Sequence, residues 1–379
     1  MIDSALVVGA GIAGCSTAIV LAERGVAVTL VEKQSAWRFA SSGIFVYSNG
    51  LANLRRIGVL DEILAAGFAI EDGRNPYVDE LGSPITTTVY PSVAPGAPPI
   101  LGIKRAELHR ILAARLAHLG VDLRLGTTVD TVDPGSAVER AHVGLSDGSI
   151  ASHDLVVAAE GLRSPLRELV HPGLAPRNTG FAIWRSVHDR PDDLDTKIMA
   201  MGVGKRIGIM PISDDKLYVF GTVVEPEKRW LDPAEWPATM RATFAEFQGP
   251  VRRFLDEVSE HTEVLYTVVE EVAAPLPWHR GRVLLVGDAA HASTPFMGQG
   301  GAMAVEDGVV LGQMLDDGFA DVPALLTAFG ERRLPVCRFV QDRSRAVGEA
   351  GAVEDAASVA RRNAAMPQTA QRQVDDFYA

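Results

Sequence analysis

Short apolar runs separated by glycines and helical stretches set the pattern at the start of the chain. Residues 5–8 are an unbroken apolar run, as in a strand buried on both faces, and residues 14–24 read as a helix. A second strand over 26–31 ends at Glu32, which completes a β–α–β unit. Further on, 53–66 and 104–119 read as helices, the latter with apolar positions at Leu108, Ile111, Leu112, Leu116 and Leu119. Residues 73–100 read as strands and loops, and 121–125, 138–145 and 155–158 as strands. The pattern changes between about 176 and 275, where 179–187, 206–211 and 217–224 alternate like an antiparallel sheet and 240–257 reads as a helix. A buried parallel-type strand returns at 282–286, a helix follows at 302–315, and the tail from 323 is helical, with a polar end over 361–379 expected to fray.

The expected architecture is α/β. A discontinuous Rossmann-like dinucleotide domain takes residues 1–72, 101–175 and 277–325. An inserted antiparallel β-sheet substrate domain takes 73–100 and 176–276, and C-terminal helices fill 326–379.

Composition narrows the function. With 379 residues and 47% hydrophobic content the chain can bury a large core, and a net charge of -12 disfavours nucleic acid and anionic membrane surfaces as partners. The two cysteines, Cys15 and Cys337, form no metal-ligand spacing or disulfide framework, so no metal is expected. The apolar stretch 5–22 approaches the length of a membrane span, but its glycines and the Met-Ile-Asp-Ser start fit a strand, turn and helix better than a span or a signal peptide. A cytoplasmic location is expected.

Three motifs carry chemistry. In Gly9-Ala10-Gly11-Ile12-Ala13-Gly14, the first glycine permits a tight turn, the second lets backbone approach a pyrophosphate, and the third lets helix and strand pack closely. The helix start offers free N–H groups to phosphates, and Glu32 is placed to accept ribose hydroxyls. This unit predicts a dinucleotide without separating NAD from FAD. The second motif runs from Asp154 through Glu160, Gly161 and Arg163 to Arg167. In the third, a strand delivers Gly287-Asp288, followed by His291, Pro295 and the run Gly298-Gln299-Gly300-Gly301-Ala302 at a helix start. Asp288 suits a polyol hydroxyl, and the glycines would place N–H groups beside a flat, electron-accepting ring.

Together these motifs resemble the single-component, FAD-dependent aromatic hydroxylases, the flavoprotein monooxygenases similar to para-hydroxybenzoate hydroxylase, over about residues 1–345. The resemblance implies FAD contacts from the first motif, Glu32 and Lys33, from Arg38, Ser42, Gly43 and Ile44, from Arg105 near the phosphates, and from Val129. It adds Glu160 and Gly161 of the second motif, and Asp288, Pro295, Gly298, Gly300, Gly301 and Ala302 of the third. Glu160 departs from the family pattern, which usually has aspartate there, a position linked also to the pyridine nucleotide. The implied reaction uses NADH or NADPH and O2, passes through a flavin C4a-hydroperoxide, and hydroxylates an electron-rich aromatic or N-heteroaromatic small molecule. A monomer or a homodimer fits equally.

On the substrate side, the hairpin around 204–220 resembles that of smaller members acting on hydroxylated N-heterocycles. There an arginine and a tyrosine at the positions of Arg206 and Tyr218 face the substrate, the arginine stabilising an anion and the tyrosine positioning or deprotonating a ring hydroxyl. Pro295 is expected to shape the loop over the flavin. His291 reads as structural, and Trp184, Met199, Met201 and Met210 as packing. Alternatives on the same scaffold are a flavin-dependent halogenase, whose WxWxIP signature is absent, a reductase, and a non-catalytic flavoprotein that shelters a reactive intermediate. An NAD-dependent dehydrogenase would leave the third motif without purpose.

Overall fold

A computed structural model describes residues 2–37, 42–227 and 229–379. Two sheets organise them. The first has six strands in the order His279–Arg280, Val283–Leu285, Leu155–Ala158, Ser4–Val8, Ala27–Glu32, Asp122–Leu125. All neighbours pair in parallel except the two-residue strand at one edge. Its central strands are almost wholly buried, which is why they read as unbroken apolar runs. Helix Ile12–Glu23 packs against helix Gly300–Leu315 beside this sheet.

The second sheet has seven strands, ordered Val264–Glu271, Arg177–Asp189, Lys216–Val224, Lys205–Pro211, Ile198–Met201, Arg74–Asp79, Pro84–Val89. It is antiparallel apart from one pair, Ile198–Met201 beside Arg74–Asp79, which runs parallel. Strand alternation divides its two faces. Trp184, Ile198, Ala200, Ile207, Ile209, Leu217 and Val219 pack with Phe244, Phe247 and Phe254, supplied by the segment that includes helices Trp236–Thr243 and Arg252–Glu257. The opposite face carries Met199, Arg206, Met210, Tyr218 and Phe220. A small sheet of Gly43–Tyr47, Ile100–Lys104 and Phe68–Ile70 lies beside it, and strand Gly43–Tyr47 contacts strand Lys216–Val224.

Several element boundaries differ from expectation for local reasons. The helix expected over 53–66 is two helices, Ser48–Arg56 and Leu60–Ala66, parted at Gly58, whose φ of 69° stops the first. The helix expected over 240–257 is two, Trp236–Thr243 and Arg252–Glu257, and the link between them turns at Gly249, where φ is 63°. The segment over 361–379, expected to fray, belongs to helix Ala356–Tyr378. Its Val359, Met366 and Val374 are buried, and the Gln371 amide exchanges two hydrogen bonds with the Val89 backbone, capping the exposed edge of the seven-stranded sheet. No described helix is long and apolar enough to cross a membrane.

Candidate active site

Parallel pairing aligns the three motifs. Val8 is in register with Val31 and Ala158, and Ala158 with Leu285. The residues that follow, Gly9, Glu32, Glu160 and Asp288, therefore emerge at one carboxyl edge of the six-stranded sheet, where α/β folds bind ligands. Gly9 turns with φ at 97°, and a Cβ on Gly14 would stand 1.9 Å from the Gly9 carbonyl oxygen. A Cβ on Gly11 would meet nothing within 4 Å, because Gly11 faces a cavity.

That cavity has a volume of about 1040 Å³ and runs from the glycine turn to the seven-stranded sheet. It lies at the upper end of ligand-pocket sizes, roughly 300–1,000 Å³. At the cofactor end its wall includes Gly9, Gly11, Ile12, Ala13, Glu32, Lys33, Ser42, Gly43, Arg105, Glu160, Gly161, Asp288, Pro295, Gly298, Gly300 and Gly301. Gly14 sits behind the wall as the packing glycine. Two expected contacts are not in the wall. Val129 packs against the main core, and its neighbour Thr128 lines the cavity instead, as alternation requires. Ala302 is turned toward helix Ser48–Arg56, where a Cβ on Gly50 would lie 2.9 Å from it. Arg38 lies outside the described residues.

The wall is set in advance of any ligand. Glu32 accepts the Ala10 N–H at 2.9 Å and the Gln34 N–H at 3.0 Å, which fixes its carboxylate at the cavity edge. His109, missed by sequence reasoning, donates from Nε2 to the Ala10 carbonyl at 2.5 Å and braces the same turn. Glu160 accepts from the Ser164 hydroxyl at 2.6 Å and the Leu166 N–H at 3.1 Å; burial raises its pKa, against these bonds. The turn Pro295–Met297 is anchored by Ser344, which donates to the Thr294 carbonyl at 2.6 Å and accepts the Met297 N–H at 3.3 Å.

His291 points into the core, not the cavity. Its Nε2 lies 2.7 Å from Asp307, whose other oxygen accepts Arg333 Nε at 2.8 Å. Asp307 also accepts the Gly287 N–H at 2.8 Å, so this buried cluster holds the turn that presents Asp288. Burial alone would raise the Asp307 pKa, but the His291 and Arg333 charges bring it down to about 2. Cys337 stands close enough to His291 and Asp307 to suggest a metal-ligand trio, yet Arg333 already occupies the carboxylate.

The far end of the cavity rests on the seven-stranded sheet. Arg206 and Tyr218 both line it, on neighbouring strands and one face. Tyr218 pairs with Met210, four residues from Arg206, so the two positions are about 13 Å apart along the strand. Phe220 lies between them, its ring stacked on Tyr218 at 5.2 Å between centroids. Arg206 donates to the Thr222 hydroxyl at 3.3 Å, and its guanidinium stands 4.6 Å from the Phe296 ring centre. Burial lowers its pKa to about 10, so it stays charged at neutral pH. Burial pushes the Tyr218 hydroxyl up, with Arg185 beside it opposing.

Sequence reasoning missed Tyr47, Tyr77, Tyr90 and Lys197 in this wall, along with the C-terminal helix, which contributes Met366, Gln373 and Tyr378. Alternation around 197–201 was the available signal for the lysine. The helix face gave none until its partner strand was known.

The cavity fits an extended dinucleotide with room beyond it. Gly11 leaves backbone bare toward it, helix Gly300–Leu315 starts at it, and the wall at this end carries both carboxylates and cations. Comparisons agree with this geometry. The family described as FAD binding domain matches residues 3–344. The chain is 34% identical over 363 residues to 2-heptyl-3-hydroxy-4(1H)-quinolone synthase of Pseudomonas aeruginosa, covering 94% of this chain and 92% of that one. It is 30% identical over 338 residues to the FAD-dependent urate hydroxylase of Mycolicibacterium vanbaalenii, covering 86% and 83%. The solved structure of Klebsiella pneumoniae HpxO with FAD and uric acid superposes with a TM-score of 0.86 at 27% identity, covering 99% of this chain and 95% of that one. The chain belongs to the single-component FAD-dependent aromatic hydroxylases.

Proposed function

We propose that the protein hydroxylates an electron-rich N-heteroaromatic ring seated between the Pro295 turn and the seven-stranded sheet, using NADH or NADPH and O2. The observation that carries this reading is the single cavity shared by the glycine turn, the Asp288 and Pro295 turns, and the floor with Arg206 and Tyr218. Residues 1–72, 101–175 and 277–325 then serve the cofactor, and 73–100 with 176–276 serve the substrate.

Gly11, Glu32, Ser42, Arg105, Asp288 and the N–H groups at Gly300 and Gly301 would hold FAD, which would supply the oxygen activation when bound and reduced. The chain's own residues do the rest. Phe45 and Phe220 give the ring apolar surface, and Met199 and Met210 fill the face beside them. Tyr218, its hydroxyl pushed up by burial, stays protonated and positions the ring instead of deprotonating it. Arg206 stabilises negative charge on the ring, which makes the ring a better acceptor of electrophilic oxygen. The C-terminal helix covers the chamber and keeps water from the reacting carbon. The test is NAD(P)H oxidation stimulated by candidate rings, with heavy-isotope O2 supplied. The expected product is one oxygen heavier and labelled; an unlabelled product would sink the reading.

A further inference from the structure

Charge is unevenly spread over the cavity wall. Among the described residues its three carboxylates, Glu32, Glu160 and Asp288, lie at the edge of the six-stranded sheet in company with Lys33 and Arg105, whereas the floor carries the cations Arg185, Lys197 and Arg206 and no carboxylate. Lys197 immediately precedes strand Ile198–Met201, and alternation puts it on the cavity face with Met199 and Met201. It is only 4% exposed. Its ammonium donates to the Tyr47 hydroxyl at 3.1 Å and stands 4.4 Å from the centre of the Phe45 ring. Among the described residues no carboxylate pairs with it. Phe45 in turn lies against the Pro295 turn, since a Cβ on Gly298 would stand 2.0 Å from its ring.

The register sets this lysine apart from Arg206. Ile198 pairs with Ile209, so Lys197 falls level with Met210 and therefore with Tyr218, while Arg206 sits at the other end of the floor. A buried ammonium with one neutral hydrogen-bond partner is costly to keep. Packing does not need it, because an apolar side chain would fill the same space. An anion arriving beside Phe45 would repay its desolvation.

We propose that Lys197 is a substrate-binding residue that receives a ring oxyanion, either an ionised ring oxygen or a ring carboxylate, so that the chamber takes its substrate as an anion. This rests on the hydroxylase reading above. Arg206 acts on the lysine through its charge, the Tyr47 hydroxyl accepts its hydrogen bond, and Tyr77 and Tyr90 line the same wall. Burial pushes all three tyrosines up, and Arg206 keeps its proton. Burial, with the Arg206 charge adding to it, brings Lys197 down to about 7. Anion binding at a pH above 7 should therefore take up a proton, and affinity should fall as pH rises further.

The experiment compares flavin-loaded wild type, K197M and K197R. Dissociation constants for urate, 6-hydroxynicotinate and neutral 2-hydroxypyridine are read from the flavin absorbance change. Wild type should prefer at least one anion over the neutral ring by about tenfold or more, K197M should lose that preference, and K197R should keep most of it. Urate preference assigns the ionised ring oxygen, and 6-hydroxynicotinate preference the carboxylate. K197M should melt no lower than wild type, because it removes an unpaired buried charge. The proposal is overturned if wild type binds neither anion better than 2-hydroxypyridine, if K197M keeps the preference, or if K197M melts well below wild type. Oxygenation assays on the same proteins separate the two readings. Anion preference without oxygen transfer removes the hydroxylase reading alone, and oxygenation of a neutral ring without anion preference removes the anion site alone.

Discussion

Gly43 lies so close to Tyr218 that a Cβ on the glycine would stand 2.4 Å from Tyr218 Cγ. The contact ties the strand beside the cofactor to the floor of the substrate chamber and sets the spacing between them. Gly43→Ala should destabilise the protein by about 1–3 kcal/mol in urea denaturation, because the ring has to move. It should also raise the substrate KM. Tyr218→Phe, which keeps the ring, should leave stability nearly unchanged. A G43A protein as stable and as active as wild type would show that the contact relaxes freely.

Two glycines of the first motif should fail differently. A Cβ at Gly14 would meet the Gly9 carbonyl oxygen at 1.9 Å, whereas one at Gly11 would enter open cavity. Gly14→Ala should therefore cost about 2–3 kcal/mol in the flavin-free protein. Gly11→Ala should leave the flavin-free melting temperature close to wild type but purify with little bound flavin. Flavin-to-protein absorbance ratios and melting curves of the stripped proteins check both.

Asp307 offers a pH test. Its pKa falls from an ordinary value near 4 to about 2 on folding, despite burial, through His291 and Arg333. A carboxyl lowered on folding adds stability above its unfolded pKa and loses it as pH falls through the folded one. Its contribution should therefore fade between about pH 4 and about pH 2. Asp307→Asn leaves buried His291 without its anion and Arg333 with Glu306 alone, and should cost about 3–5 kcal/mol at pH 7. Flavin should also be lost, since the Asp288 turn is no longer held. Denaturant midpoints across pH for wild type and D307N would reveal an unchanged difference if the idea is wrong.

Removing Ala356–Tyr378 should expose the substrate end of the cavity while sparing the glycine turn. Flavin should be retained. The share of NAD(P)H consumed that appears as hydroxylated product should fall severalfold, with hydrogen peroxide making up the difference. Equal coupling in the shortened and full chains would show that the helix does not exclude water.

Much of the cofactor end was legible because its signals are local. Gly9 to Glu32 are one continuous unit, and the Asp288 turn follows a strand that reads as buried wherever it pairs. The floor was legible only in part. Arg206 and Tyr218 were found through a hairpin whose two strands are neighbours in sequence. Lys197 was not, because its face is fixed by pairing with strand Lys205–Pro211 and by Tyr47, 150 residues away. At Val129 the cavity wall carries the neighbour Thr128 instead, since one residue is enough to turn a side chain to the opposite face. The segment over 361–379 read as a fraying helix end because most of its surface stays wet, and its anchor is a strand edge far back in the chain.

A wall that includes both Val8 and Tyr378 has a consequence for folding. The glycine turn can fold from local contacts, yet the chamber it belongs to cannot close until helix Ala356–Tyr378 has docked on the Val89 edge. Contacts of such long sequence separation form late. Substrate binding should therefore appear among the last events of refolding, however much of the dinucleotide cradle has already folded.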